Sequence, residues 1–148
     1  MQSLCHWLHA LMAARDMPLV VTGFFGIPAE DPVSATSSSS LSESADFSRI
    51  KSMLGSDAGV SHVIDVFRSS NAGGDAGLTW DYTQNSTIES FDRLFARDSF
   101  VFILNPRSGS SCSPVTCGVK PLGDTPATRL SPHFGLMAMM KLLAGGSG

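Results

Sequence analysis

The sequence predicts an α/β fold, with a mixed or antiparallel sheet and helices packed on one face. Two helix patterns and a series of strand-length apolar segments predict it. Residues 3–15 place Leu4, Trp7, Leu8, Leu11 and Met12 on the i, i+3, i+4, i+7, i+8 stripe of an amphipathic helix. Residues 45–54 form a second helical pattern with its own start and stop signals. Hydrophobic residues make up 43% of the 148 positions and charged residues 16%, enough to build one core.

Met17-Pro18 ends the first helix, because proline disfavours a helical residue before it. Leu19-Val20-Val21-Thr22-Gly23 follows, an apolar run of the kind found in strands buried on both faces. Residues 34–44 (SATSSSSLSES) are polar and low in complexity, and read as a flexible surface loop. In the second helix Ser44 is the expected N-cap, Asp46 lies in the first turn and Gly55 terminates it. Phe47, Ile50, Met53 and Leu54 should form its buried face. Strand candidates are His62–Phe67, Gly77–Asp81, Phe91–Ala96 and Phe100–Leu104. The Gly, Ser and Pro-rich segment Arg107–Pro126 reads as a long loop with room for a short strand near Val115. Phe134–Leu143 reads as strand or helix, which periodicity does not separate. Residues 1–143 make one domain, and 144–148 read as a flexible tail.

The chain is slightly acidic, with net charge −3 and a pI near 5.7. Its ten Lys and Arg are scattered, without the basic stripe that phosphate neutralisation asks of a nucleic-acid binder. The N-terminal residues MQSLCHWLHALMAARD lack the continuous apolar stretch of a secretory signal. No apolar run reaches the roughly 18–20 residues of a membrane span, and three cysteines do not suggest a disulfide framework. The expected location is intracellular, with the cytoplasm as default.

Several segments, in order, carry a resemblance. Pro18-Leu19-Val20-Val21-Thr22-Gly23-Phe24-Phe25-Gly26-Ile27-Pro28 resembles a strand that ends in Gly-Asp-Phe-Asn, with Phe24 in the Asp place and Gly26 in the Asn place. Asp65-Val66-Phe67-Arg68, followed by Gly77-Leu78-Thr79-Trp80-Asp81, resembles an Asp-x-aromatic-Arg segment and a Gly-x-Thr-Trp turn. Phe91-Asp92-Arg93-Leu94-Phe95 resembles Arg-Ile-Asp-Arg-Ile-Phe. Leu130-Ser131-Pro132-His133-Phe134-Gly135-Leu136 resembles Leu-Ser-Asp-His-Phe-Gly-Leu, with Pro132 in the Asp place. Together they resemble the C-terminal half of the endonuclease/exonuclease/phosphatase superfamily, the DNase I-like metal-dependent phosphodiesterases. The lean is to the neutral-sphingomyelinase-like branch.

The resemblance implies half of a four-layer α/β sandwich whose members are about twice this length. The N-terminal half of such proteins, with its metal-ligating Glu and Asn, has no counterpart here. It also implies a hydrolase of phosphate esters that uses Mg²⁺, acting on nucleic acid, a sphingolipid or an inositol phosphate. The hard cation takes oxygen ligands, and in-line attack needs an oriented water and donors on the phosphate oxygens. In this frame His133 contacts the scissile phosphate and Asp92 fixes its tautomer, while Thr79 and Trp80 form a turn beside the substrate cleft. Phe24 cannot accept a proton, Gly26 has no side chain to donate, and Pro132 has no carboxylate. The expectation is therefore a weak or inactive phosphodiesterase that holds no Mg²⁺ tightly; a non-catalytic scaffold or interaction module is the alternative. Half a sandwich would also leave a bare apolar sheet face, open to a missing first half or to self-association.

Plainer readings stand beside these. His133 is equally well an ordinary half-buried histidine, and Asp92 a strand-end partner of Arg93 or Arg97. Cys5, His6 and His9 lie within about a helical turn, but they read as a solvated helix face. Cys112 and Cys117 read as loop thiols, since zinc needs two further ligands. Trp80 and the methionines Met137, Met139 and Met140 read as core filler. The sequon Asn85-Ser86-Thr87 reads as incidental.

Overall fold

The computed structural model describes residues 2–15, 17–30, 43–56, 59–71, 77, 79–81, 95–120 and 134–144. The elements run α1 (Gln2–Arg15), β1 (Leu19–Phe24), α2 (Ala45–Leu54), β2 (Val60–Asp65), α3 (Val66–Ser70), β3 (Trp80–Asp81), β4 (Phe95–Ala96), β5 (Ser99–Pro106), β6 (Ser111–Lys120) and β7 (Gly135–Leu143). The fold is α/β, and every pairing among the described strands is antiparallel. A three-stranded sheet has the order β1-β5-β2, beside two two-stranded sheets, β3-β4 and β6-β7.

β5 is the centre of the molecule. Residues Phe100 to Asn105 are all buried, and alternation sends them to opposite faces. Phe100, Phe102 and Leu104 enter a cluster with Cys5, Leu8 and Met12 of α1 and Phe47, Ile50 and Leu54 of α2. Val101 and Ile103 enter a second cluster with Val66, Phe67, Cys112 and Cys117. In the first cluster Phe47 packs on Phe100 and Phe102 at centroid distances of 4.7 and 5.6 Å. Burying each such ring contributes roughly 1.5–3 kcal/mol.

α2 forms where its local signals place it. Ser44 Oγ accepts from the Phe47 amide and donates to the Pro28 carbonyl, and Gly55 closes the helix. Elsewhere tertiary context changes the expected pattern. Trp7 is 60% exposed, and Cys5 takes a place on the buried stripe instead. β1 is an edge strand, with Val20 46% exposed, so it is not buried on both faces. The strand expected to continue through Phe67 stops at Asp65, whose carboxylate caps α3 by accepting from the Phe67 and Arg68 amides.

The expected loop after Arg107 is largely a ten-residue strand, β6, which pairs along its length with β7. Pro114 lies beside the register shift between Pro114 and Thr116, where its missing N–H does least harm. Asn105 fastens this hairpin to β5: its side chain donates to the Cys112 carbonyl and accepts from the Cys112 amide, at 2.8 and 2.7 Å. The second face of the main sheet is thus covered by α3 and the hairpin. Apolar exposure shifts one layer out, to Val115, Met137, Met139, Leu142 and Leu143. The serine-rich loop from 34 to 42, the strand start at 91–94, the sequon and the tail at 145–148 lie outside the described residues.

Candidate functional site

Three segments named by the resemblance meet at one end of the main sheet. β1 runs out at Phe24, whose side chain is 61% exposed. The next residue turns inward, and the Phe25 ring packs on Phe100 and Phe102 at 5.6 and 6.0 Å. Gly26 follows at φ +68°, a left-handed turn that favours glycine and, after it, asparagine. Backbone bonds tie this loop to the turn between β4 and β5: the Phe25 amide donates to the Asp98 carbonyl at 3.1 Å and the Ala29 amide to the Arg97 carbonyl at 2.8 Å.

Thr79 sits behind that turn with no exposed surface. Its hydroxyl donates to Asp98 Oδ1 at 2.8 Å and accepts from the amides of Asp98 and Ser99 at 3.0 and 3.2 Å. Its carbonyl accepts from the Phe134 amide at 2.7 Å. Thr79 therefore joins the Gly-Leu-Thr-Trp turn, the start of β5 and the segment that follows His133. Its side chain is buried and its hydroxyl fully engaged within the fold. Gly77 shapes the approach to it: φ is +62°, and a Cβ there would lie 2.2 Å from the Phe67 ring. Trp80 follows in β3, its backbone paired with Ala96.

Beneath the turn lies a buried charge cluster. The Arg97 guanidinium, 1% exposed, donates to both oxygens of Asp65 at 3.1 and 2.8 Å and to Glu30 at 3.0 Å. Arg68 also holds Glu30. The faces of Phe47, Phe67 and Phe100 surround Arg97 at 5.3–5.4 Å. Two carboxylates and three rings compensate the desolvated cation. Arg97 is thus a buried cation and not an exposed strand-end charge, Asp92 lies outside the described residues, and sequence reasoning missed this cluster altogether. The one available signal was a charged pair, Arg97-Asp98, set between two apolar strands.

Phe24 and Gly26 stand at the mouth of the corner. Asp92, Pro132 and His133 lie outside the described residues. Among the described residues no three His, Cys, Asp or Glu gather to hold a metal. The carboxylates nearest the corner are engaged by Arg97, Arg68 and Thr79.

The remaining candidates settle into the structure. His6 is exposed, but Cys5 is buried and His9 donates to the Leu54 carbonyl at 2.7 Å, satisfying a carbonyl at the end of α2. These three residues line one side of an open groove of about 1010 Å³ between α1 and α2. Cys112 and Cys117 are buried and free, not loop thiols. Burial pushes both thiols up, and the Asp65 carboxylate adds to this at Cys117. No helix among the described residues is long and apolar enough to cross a membrane. No protein-family model, curated protein or solved structure matches this chain.

Proposed function

We propose that this chain is a phosphodiesterase-type domain of the Mg²⁺-dependent class with weak or absent hydrolysis. The observation that carries the reading is the double engagement of Thr79, with Asp98 on one side and Phe134 on the other. It brings the Gly-Leu-Thr-Trp turn and the segment after His133 to the corner where the β1 loop ends. Phe24 and Gly26 stand there in place of a water-activating carboxylate and a phosphate donor. Losing one transition-state donor costs about 2.7–4 kcal/mol, and Pro132 removes a third group. The non-catalytic scaffold reading is favoured by the same substitutions, and differs only in requiring no turnover at all.

Hydrolysis of bis-p-nitrophenyl phosphate, with and without Mg²⁺, tests the proposal. The wild type should stay near buffer. Phe24→Asp/Gly26→Asn/Pro132→Asp should gain metal-dependent turnover of roughly a hundredfold, and His133→Ala in that background should remove it. Gly26→Asn is sterically open, because the added Cβ would meet only the Phe24 ring, at 3.7 Å. A triple variant that folds but stays silent counts against the phosphodiesterase scaffold. Strong Mg²⁺-dependent turnover by the wild type, lost in His133→Ala, overturns the impairment.

A further inference from the structure

The hairpin's outer face has a composition unlike the rest of the molecule. Alternation along β7 sends Leu136, Ala138 and Met140 toward the core and Met137, Met139, Lys141 and Leu143 outward. Across the ladder, Gly118 faces Met137 and Thr116 faces Met139. Met137 and Met139 are 62% and 61% exposed, and Val115 and Leu143 extend the apolar area. Lys120 and Lys141 are exposed on the same two strands. Neither β6 nor β7 contains an Asp or Glu, although the chain as a whole is net acidic.

We infer that this face docks on an anionic lipid surface, with Met137, Met139 and Leu143 entering the headgroup boundary and Lys120 and Lys141 pairing with lipid phosphate or carboxylate. Charge selects the occupant. A second copy packed on this face would bring the same lysines and, from these two strands, no carboxylate to meet them. The side chains also lack the marks of a specific protein interface, whose buried centre is enriched in Trp, Tyr and Arg and depleted in Lys. No aromatic residue and no Arg stands on either strand. Methionine adapts to an irregular apolar medium, and a lysine stem lies along apolar surface while its ammonium stays at the polar boundary. Attachment of this kind is peripheral and sensitive to salt, and the inference does not depend on the phosphodiesterase reading.

The test is co-sedimentation of the full chain with phosphatidylcholine vesicles, with and without phosphatidylserine, at low and high salt. Light scattering of the chain alone runs in parallel. Binding should require phosphatidylserine and fall with salt. Lys120→Glu/Lys141→Glu should weaken it roughly tenfold or more. Met137→Ser/Met139→Ser should weaken it as well, with circular dichroism unchanged, because all four side chains are exposed. Three outcomes overturn the inference: no sedimentation of the wild type with anionic vesicles, equal sedimentation with pure phosphatidylcholine, or full binding by both variants. A dimer in light scattering that Met137→Ser/Met139→Ser dissolves, without vesicle binding, assigns the face to a second copy instead.

Discussion

β5 and β7 are apolar strands of similar length, eight and nine residues, yet they occupy opposite environments. β5 lies between β1 and β2 with both faces buried, and it feeds two separate clusters. β7 lies at one side of a two-stranded hairpin, with one face on the core and the other exposed. A continuous apolar run therefore says that a strand has something to bury, but not on how many sides. Cover depends on neighbours far away in sequence, which the strand itself does not encode.

The widest way to test this contrast is to truncate one residue of each strand. Phe102, with no exposed surface, should cost about 3–5 kcal/mol on replacement by Ala. Met139→Ala should stay within about 0.5 kcal/mol, as exposed substitutions do. Urea denaturation of the two variants measures both. If Met139→Ala costs as much as Phe102→Ala, the hairpin's outer face is covered in solution and the contrast collapses.

A smaller effect sharpens the seam between the two strands' sheets. Asn105 is 2% exposed, and its amide imitates one more rung of backbone pairing to Cys112. Asn105→Ala strands a buried N–H and a buried carbonyl, at an expected cost of about 1–3 kcal/mol. Hydrogen exchange should then show the Cys112 amide opening ahead of the Ile103 amide. Simultaneous opening would mean that hairpin and sheet unfold as one unit and that Asn105 is not their fastening.

How far the sequence foretold the structure follows from how local each signal is. α2 was legible to both ends, because Ser44 and Gly55 act within a turn of themselves. The end of β2 was legible in principle, since Asp65 is a good N-cap residue, but the apolar Val66-Phe67 that follows mimics a strand. β6 was hidden: its serines, glycine and proline read as loop, and it becomes a strand through pairing with β7 and the Asn105 clasp. In the site, resemblance pointed to Thr79, but its buried bonds to Asp98 and Ser99 are non-local. Arg97 was the least legible of all. A cation held by Asp65, Glu30 and three aromatic rings draws its partners from across the chain, and sequence alone reads it as a surface charge.

The finest test of the contrast uses the thiols that β6 turns toward the main sheet. Burial raises both Cys112 and Cys117 above their ordinary value of 9.0, so the folded chain holds these protons more tightly than the unfolded chain does. By linkage, the contribution is fully present below 9.0 and is lost as pH climbs through the raised folded values. Urea midpoints measured from pH 7 to pH 10.5 should fall in the alkaline range for the wild type. Cys112→Ala/Cys117→Ala should lose less over the same window, whatever its lower starting stability. The slope difference isolates the thiols, because every other group is the same in both proteins. Parallel slopes would place the two thiols in contact with water in the folded state, and the hairpin would then rest on the sheet more loosely than the Asn105 clasp implies.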